Sequence, residues 1–138
     1  MDKSKQELTV RSVNAQSNGT TTANGSVTDA TGYEAAIAYL AIGAISSTGT
    51  VTLKLQHGNE SDGSDMADIT GASASLTDAD DSKLAIVEKV GLTKRYVRPV
   101  VVRETSGSVI DSCVLRLNHP KKVPVTQDST VASHVVVN

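Results

Sequence analysis

The chain is built from short alternations of apolar and polar residues. Between Leu8 and Val13, Leu8 and Val10 alternate with Thr9 and Arg11, the period of a strand with one dry and one wet face. Residues 14–31, NAQSNGTTTANGSVTDAT, lose that pattern. Their two Asn-Gly pairs, Asn18-Gly19 and Asn24-Gly25, are strong turn formers because both residues tolerate positive φ, so the stretch reads as a hairpin tip or a loop. Tyr33 to Ile45, YEAAIAYLAIGAI, is apolar on both parities, which predicts a central strand covered on both sides. Its alanines would also suit a helix, but the Gly-rich flanks favour a strand. The turn SSTG at 46–49 leads into a segment where Val51, Leu53 and Leu55 alternate with Thr52, Lys54 and Gln56, and the two segments together read as a hairpin.

Residues 58–65, GNESDGSD, form a charged loop, and residues 66–82, with Met66, Ile69 and Leu76, predict a short helical turn or irregular strand docked on the body. Residues 83–90, KLAIVEKV, resume a strand, and Gly91 permits a turn. The stretches Lys94 to Glu104 and Ser108 to Leu117 are separated by Thr105, Ser106 and Gly107, a loop of hairpin length. Pro99 cannot donate to a ladder, which predicts a bulge, a bend or an edge position. After Pro120 the chain carries a second proline, Pro124, and ends in Val135, Val136 and Val137. This apolar end is expected either to close the sheet or to add a strand to a neighbour.

Short strands at near-regular spacing predict an all-β, single-domain β-sandwich, jelly-roll-like, or a small barrel, with extended N- and C-terminal arms. In that reading residues 1–31 are an N-terminal arm and turn-rich segment, 32–120 the sandwich core, and 121–138 a C-terminal arm or closing strand.

Composition agrees with this picture and narrows the function. At 138 residues the chain holds one core. Its 18 valines, 6 isoleucines and 15 threonines all branch at Cβ and favour pleated strands. Phe and Trp are absent and the aromatics are Tyr33, Tyr39 and Tyr96, so the core must be aliphatic. A net charge of −2 lacks the cationic surplus that displaces counterions from phosphates, so no nucleic-acid partner is expected. Cys113 is alone, which forbids an intrachain disulfide, and its apolar neighbours predict a buried thiol. The opening MDKSKQELTV lacks the apolar stretch of a secretion signal, and no apolar run approaches the roughly 18 to 20 residues that span a bilayer. The expectation is a cytosolic protein with no membrane partner.

Candidate chemistry is sparse. His57, His119 and His134 stand outside metal-ligand spacing and read as surface or interface residues, so no metal is expected. Glu60, Asp62, Asp65 and Asp68, followed by Asp78, Asp80 and Asp81, raise the question of calcium. The calcium-loop pattern fails because Gly58 and Glu60 would occupy the first two ligand positions before Asp62-Gly63, which favours a solvated loop. No GxSxG, Walker-type or GxGxxG motif is present, and the expectation is a non-enzyme with no cofactor. Charge is unevenly spread. Residues 58–81 hold seven acidic groups and no base, while residues 83–122 hold nine Lys or Arg against Glu88, Glu104 and Asp111. These lobes are either two solvated surfaces or a device that orients the chain against copies of itself or a larger acidic surface.

The run GYEAAIAYLAIGAISSTGTVTLKLQHGNESDGSDMADIT, then KLAIVEKVGLTKRYVRPVVVRE, then NHPKKVPV, resembles a family of small virion proteins of tailed bacteriophages, the head-decoration or capsid cement proteins. The likeness covers about residues 30–125, and LKLQHGNESDGSD at 53–65, KRYVRP at 94–99 and HPKKVPV at 119–125 are its most specific pieces. It implies a structural subunit on the outside of the capsid, made in the host cytoplasm and bound to the major capsid protein. Such subunits often self-associate as trimers. Contact residues are expected at Arg95, Tyr96 and Arg98, because Arg and Tyr are over-represented at interface cores, although Tyr96 reads equally as a core aromatic. The arms come second, through Leu8, Val10, Val125, Val135, Val136 and Val137. The acidic loop comes third, with Asp62 and Asp65 meeting a basic partner. The alternatives are a phage neck or tail structural protein and a carbohydrate- or receptor-binding sandwich. Three tyrosines and no tryptophan give the last little material for sugar stacking.

Overall fold

A computed structural model describes residues 6–121 and 125–135. Ten strands follow in chain order: β1 (Leu8–Val13), β2 (Gln16–Gly19), β3 (Ala23–Asn24), β4 (Thr28–Asp29), β5 (Ala35–Ile45), β6 (Thr50–Gly58), β7 (Ala67–Thr77), β8 (Leu84–Val90), β9 (Tyr96–Glu104) and β10 (Ser108–Asn118). They form two antiparallel sheets. Sheet A runs β1-β10-β5-β8, with β2 also on β10, and sheet B runs β3-β9-β6-β7, with β4 also on β9. This is a jelly-roll sandwich with open edges, which decides against the closed barrel. Residues 8–29, read above as an arm and turn-rich segment, supply an edge strand to each sheet.

Alternation within each strand builds the core. Ala38, Leu40 and Ile42 of β5 and Ile110, Cys113, Leu115 and Leu117 of β10 face Val51, Leu53 and Leu55 of β6 and Val97 and Val101 of β9, all buried. Burial pushes the Cys113 thiol up to about 12, as an inert core side chain requires.

Both predicted hairpins are corrected. β5 belongs to sheet A and β6 to sheet B, so SSTG is a corner that carries the chain from one sheet to the other. The turn at 105–107 does the same between β9 and β10. A loop of three or four residues fits a hairpin or a corner equally, and burial of both inner faces selects the corner. The corners lie side by side, with the Ser46 amide donating to the Gly107 carbonyl at 2.8 Å. Gly49 serves its own corner first, since a Cβ there would lie 2.8 Å from the Ser46 carbonyl oxygen, and at 3.3 Å from the Ser106 carbonyl oxygen it would also press on the neighbouring corner. The hairpin that does form is β6–β7, closed by the charged loop. Its second strand spans eleven residues and is irregular, one of the two expected forms, with a register shift against β6 and Gly71 at φ +80°.

Pro99 lies inside β9, between β6 and the β3–β4 segment, and is not at an edge. It is tolerated because it faces the break between β3 and β4, where Gly25 donates its amide to the Pro99 carbonyl at 2.8 Å. A side chain on Gly25 would collide with that carbonyl at 2.7 Å and with the Ser12 hydroxyl at 2.5 Å. So Gly25 serves close approach, and neither Gly19 nor Gly25 has the positive φ expected of an Asn-Gly turn.

Sequence reasoning missed Arg103. It is 4% exposed, and its guanidinium donates to three backbone carbonyls: Thr21 at 2.8 Å, Ser17 at 2.9 Å and Ser108 at 2.7 Å. Buried charge is costly unless its donors are satisfied, and here they staple the β2–β3 crossing to β10.

Candidate interaction surfaces

The outer face of sheet B is polar and closed upon itself. Arg98, Gln56 and Asp68 stand in one cross-strand row. The Arg98 Nε donates to Gln56 Oε1 at 2.9 Å, Gln56 Nε2 donates to Asp68 Oδ1 at 2.8 Å, and Lys54 Nζ holds Asp68 Oδ2 at 2.9 Å. The Gln56 and Lys54 bonds keep the Asp68 carboxyl below its ordinary range. Thr52 and Ser75 share a further bond of 3.1 Å. These bonds tie the side chains of Arg98, Gln56, Asp68 and Lys54, and of Thr52 and Ser75, to one another across the strands.

At one end of the same sheet the structure brings together two of the sequence-predicted groups. Arg95 immediately precedes β9, and its Nη2 bonds Asp29 Oδ2 at 2.9 Å. That hydrogen bond, ahead of the Coulomb attraction, lowers Asp29 to about 2. The same guanidinium lies 5.1 Å from the centre of the Tyr96 ring. Tyr96 is half-buried and shares the outward parity of Arg98, while Tyr33 packs against the core. The acidic loop folds beside them, with the Arg95 amide at 3.5 Å from Asn59 Oδ1. Its carboxylates are committed to the turn. Asp65 accepts the amides of Asn59 at 2.8 Å and Glu60 at 3.0 Å, and Asp62 accepts that of Ser64 at 2.9 Å. These bonds lower both acids. His57, in the same region, is lowered by burial and then by Lys94 and Lys89.

The second acidic cluster answers corner amides. Asp81 accepts Ile45 N–H at 2.7 Å, Asp78 accepts Thr48 N–H at 3.0 Å, and Asp80 caps a short 3-10 turn (Asp78–Asp80) and pairs with Lys83 at 3.0 Å.

Of the arm residues, Val10 is in the core and Leu8 is half-buried on β1. The C-terminal segment covers the free edge of β1 with side chains. Gln127 Oε1 accepts from Thr9 N–H at 2.9 Å, Gln127 Nε2 donates to the Glu7 carbonyl at 2.6 Å, and the Thr130 hydroxyl accepts from Arg11 N–H at 3.1 Å. Val125 is half-buried and Val135 is 78% exposed. Val136 and Val137 lie outside the described residues.

Sheet A presents the opposite face. Outward from β8 point Leu84, Ile86 and Val90, exposed by 63%, 54% and 63%. Ala41, Tyr39 and Val114 continue the apolar surface, since Leu84 pairs with Ala41 and Ile86 with Tyr39, which pairs in turn with Val114. The second cover predicted for β5 is therefore missing, and Ile37, Tyr39 and Ala41 remain half-exposed. These surface residues were absent from the predicted contacts. The available signal was KLAIVEKV itself, which is apolar on both parities beside a segment with the same property.

The chain matches no family model. No curated protein matches it either. Among solved structures it is similar to the PBSX exported protein XepA, with 14% identity, a TM-score of 0.53, and coverage of 90% of this chain and 43% of that one. A weaker similarity is to a protein from Bacillus endospore appendages, described as disulfide-linked pili, at 13% identity and TM-score 0.47, over 81% of this chain and 84% of that one. The likeness to XepA is one of fold.

Proposed function

We propose that the protein is a non-enzymatic structural subunit of a virion, which decorates the capsid exterior and stabilises it by binding major capsid protein subunits. The observation that carries this reading is an apolar patch on the outer face of sheet A, where the exposed Leu84 and Ile86 of β8 run into the half-buried Ala41 and Tyr39 of β5 and Val114 of β10, beside Glu88 and Arg116. Exposed apolar surface of this extent on a small domain marks a protein-interaction site. The sequence resemblance supplies the partner. A ligand that binds only the assembled lattice stabilises it by mass action, and repetition by symmetry sums many weak contacts. The polar face of sheet B then looks to solvent, and assembly takes place in the host cytoplasm.

The test is co-sedimentation of the purified chain with virus particles that lack it. The chain is expected to pellet with the particles, and Tyr39→Ser to reduce the bound fraction about tenfold, as loss of a central interface aromatic does. No pelleting above that seen with an unrelated protein shell would overturn the reading. A neck or tail location would appear as binding to portal or tail assemblies and none to heads.

A further inference from the structure

We propose that β8 is a self-association edge, along which two copies of the chain pair antiparallel about a two-fold axis at Val87. The proposal stands apart from the capsid reading, because it concerns the protein in solution.

The four sheet edges are unequal. The β1 edge is occupied by the Gln127 and Thr130 side chains. β3 and β4 are two residues each, with a break between them. β7 has a register shift against β6, Gly71 at φ +80°, and the polar outward residues Asp68, Thr70, Ser73 and Ser75. Short strands, bulges and polar cover are devices that blunt edges. β8 is neither short nor bulged, and its charges are confined to Glu88 and Lys89. Its register with β5 is unbroken over seven residues. At the two ends of that register Ile42 N–H donates to the Lys83 carbonyl at 3.2 Å and Gly91 N–H to that of Glu34 at 2.8 Å. Odd-numbered residues therefore bond to β5, and the amides and carbonyls of Leu84, Ile86, Glu88 and Val90 point away from the sheet.

The occupant follows from self-complementarity. With the axis at Val87, Leu84 stands opposite Val90 of the second copy, Ile86 opposite Glu88, and Ala85 opposite Lys89, so the larger inward-parity Lys89 meets the smallest side chain. The two apolar pairs form on the face where both residues are otherwise exposed. Moving the axis to Glu88 sets two carboxylates against each other. Moving it to Ile86 sets Leu84 against Glu88 and leaves Val90 unpaired. A head-to-tail ring, including the trimer, would need a β1 edge whose Thr9 and Arg11 amides are already taken. The two-fold pair joins both A sheets into one and puts both apolar outer faces on the same side.

Sedimentation equilibrium of the full chain tests this. The wild type is expected at twice its 14.3 kDa. Ile86→Pro, which removes an outward amide and no bond to β5, is expected at the mass of one copy. Leu84→Asp and Val90→Lys each place charges against an apolar residue at two sites and weaken association about tenfold. The double variant restores the dimer, because Asp and Lys then face each other in this register alone. All three positions are exposed, and far-UV circular dichroism confirms that each variant is folded; the charge swap carries the test if the proline variant is not. A wild type that sediments as one copy or three, a proline variant that stays dimeric, or a double variant no tighter than the singles would overturn the proposal. Tyr39→Ser, on the central strand, retains the two-copy mass, which separates this result from capsid binding.

Discussion

The two sheets share a core and differ in what they show to water. The outward row of sheet B joins Arg98, Gln56, Asp68 and Lys54 by hydrogen bonds of 2.8 to 2.9 Å. The matching row of sheet A shows Val114, Tyr39 and Ile86 beyond Arg11 of β1, with the Arg116 guanidinium 5.9 Å from the centre of the Tyr39 ring. A polar surface whose groups bond one another has little to gain from a partner, since docking strips water without supplying better bonds. An apolar surface gains from any partner that covers it. The proposed function therefore rests on the sheet A side, even though both sheets have the same ladder and nearly the same inner face.

The sharpest check on the shared core is truncation from either side. Leu40→Ala from sheet A and Leu53→Ala from sheet B should each cost roughly 3 to 4 kcal/mol in urea unfolding, because both are fully buried. A cost confined to one would mean that the sheets do not unfold together. Arg103→Met should cost about 2 to 3 kcal/mol by orphaning the buried Ser108 carbonyl and losing the part-buried bonds to Ser17 and Thr21, while leaving both outer faces unchanged. On the faces themselves the effects should separate. Ile86→Lys should change stability by less than about 0.5 kcal/mol and should lower pelleting with particles, while self-association persists because the lysine would face Glu88 of the second copy. Gln56→Ala should show the reverse pattern, costing about 1 kcal/mol with no change in pelleting.

The smallest effect is a pH dependence at the exposed Asp29–Arg95 pair. The folded pKa of Asp29 is depressed from 3.8 to about 2, so its contribution is present above 3.8 and is lost as pH falls towards 2. The stability gap between wild type and Asp29→Asn should accordingly close across that window. A gap that stays constant down to pH 2 would show that the ion pair is not its source.

Much of the strand pattern was legible because apolar and polar residues alternate visibly in β1 and β6 and β-branched residues crowd β8 to β10. Strand β7, ADITGASASLT, was obscured because its small Ala, Ser and Gly residues give the alternation little amplitude. The corners were misread as hairpins because loop length reports only that the chain turns, whereas the sheet a strand joins depends on non-local pairing. Asp78 and Asp81 looked like free acids for the same reason: the amides they accept lie 30 and 36 residues away. Among the candidate contacts, Arg95 was identifiable by residue type, but its partner Asp29 is 66 residues distant. The apolar face required knowing that β5 and β8 are neighbours. Each is two-sidedly apolar in sequence, and together they form a surface only after folding.

The most direct measurement is a reconstruction of the decorated particle. The account predicts density for this chain on the outer surface of the head, with Tyr39, Ile86 and Val114 turned toward the shell and the Arg98–Gln56–Asp68 row toward solvent. Density with sheet B against the shell, or confined to the neck or tail, would contradict it.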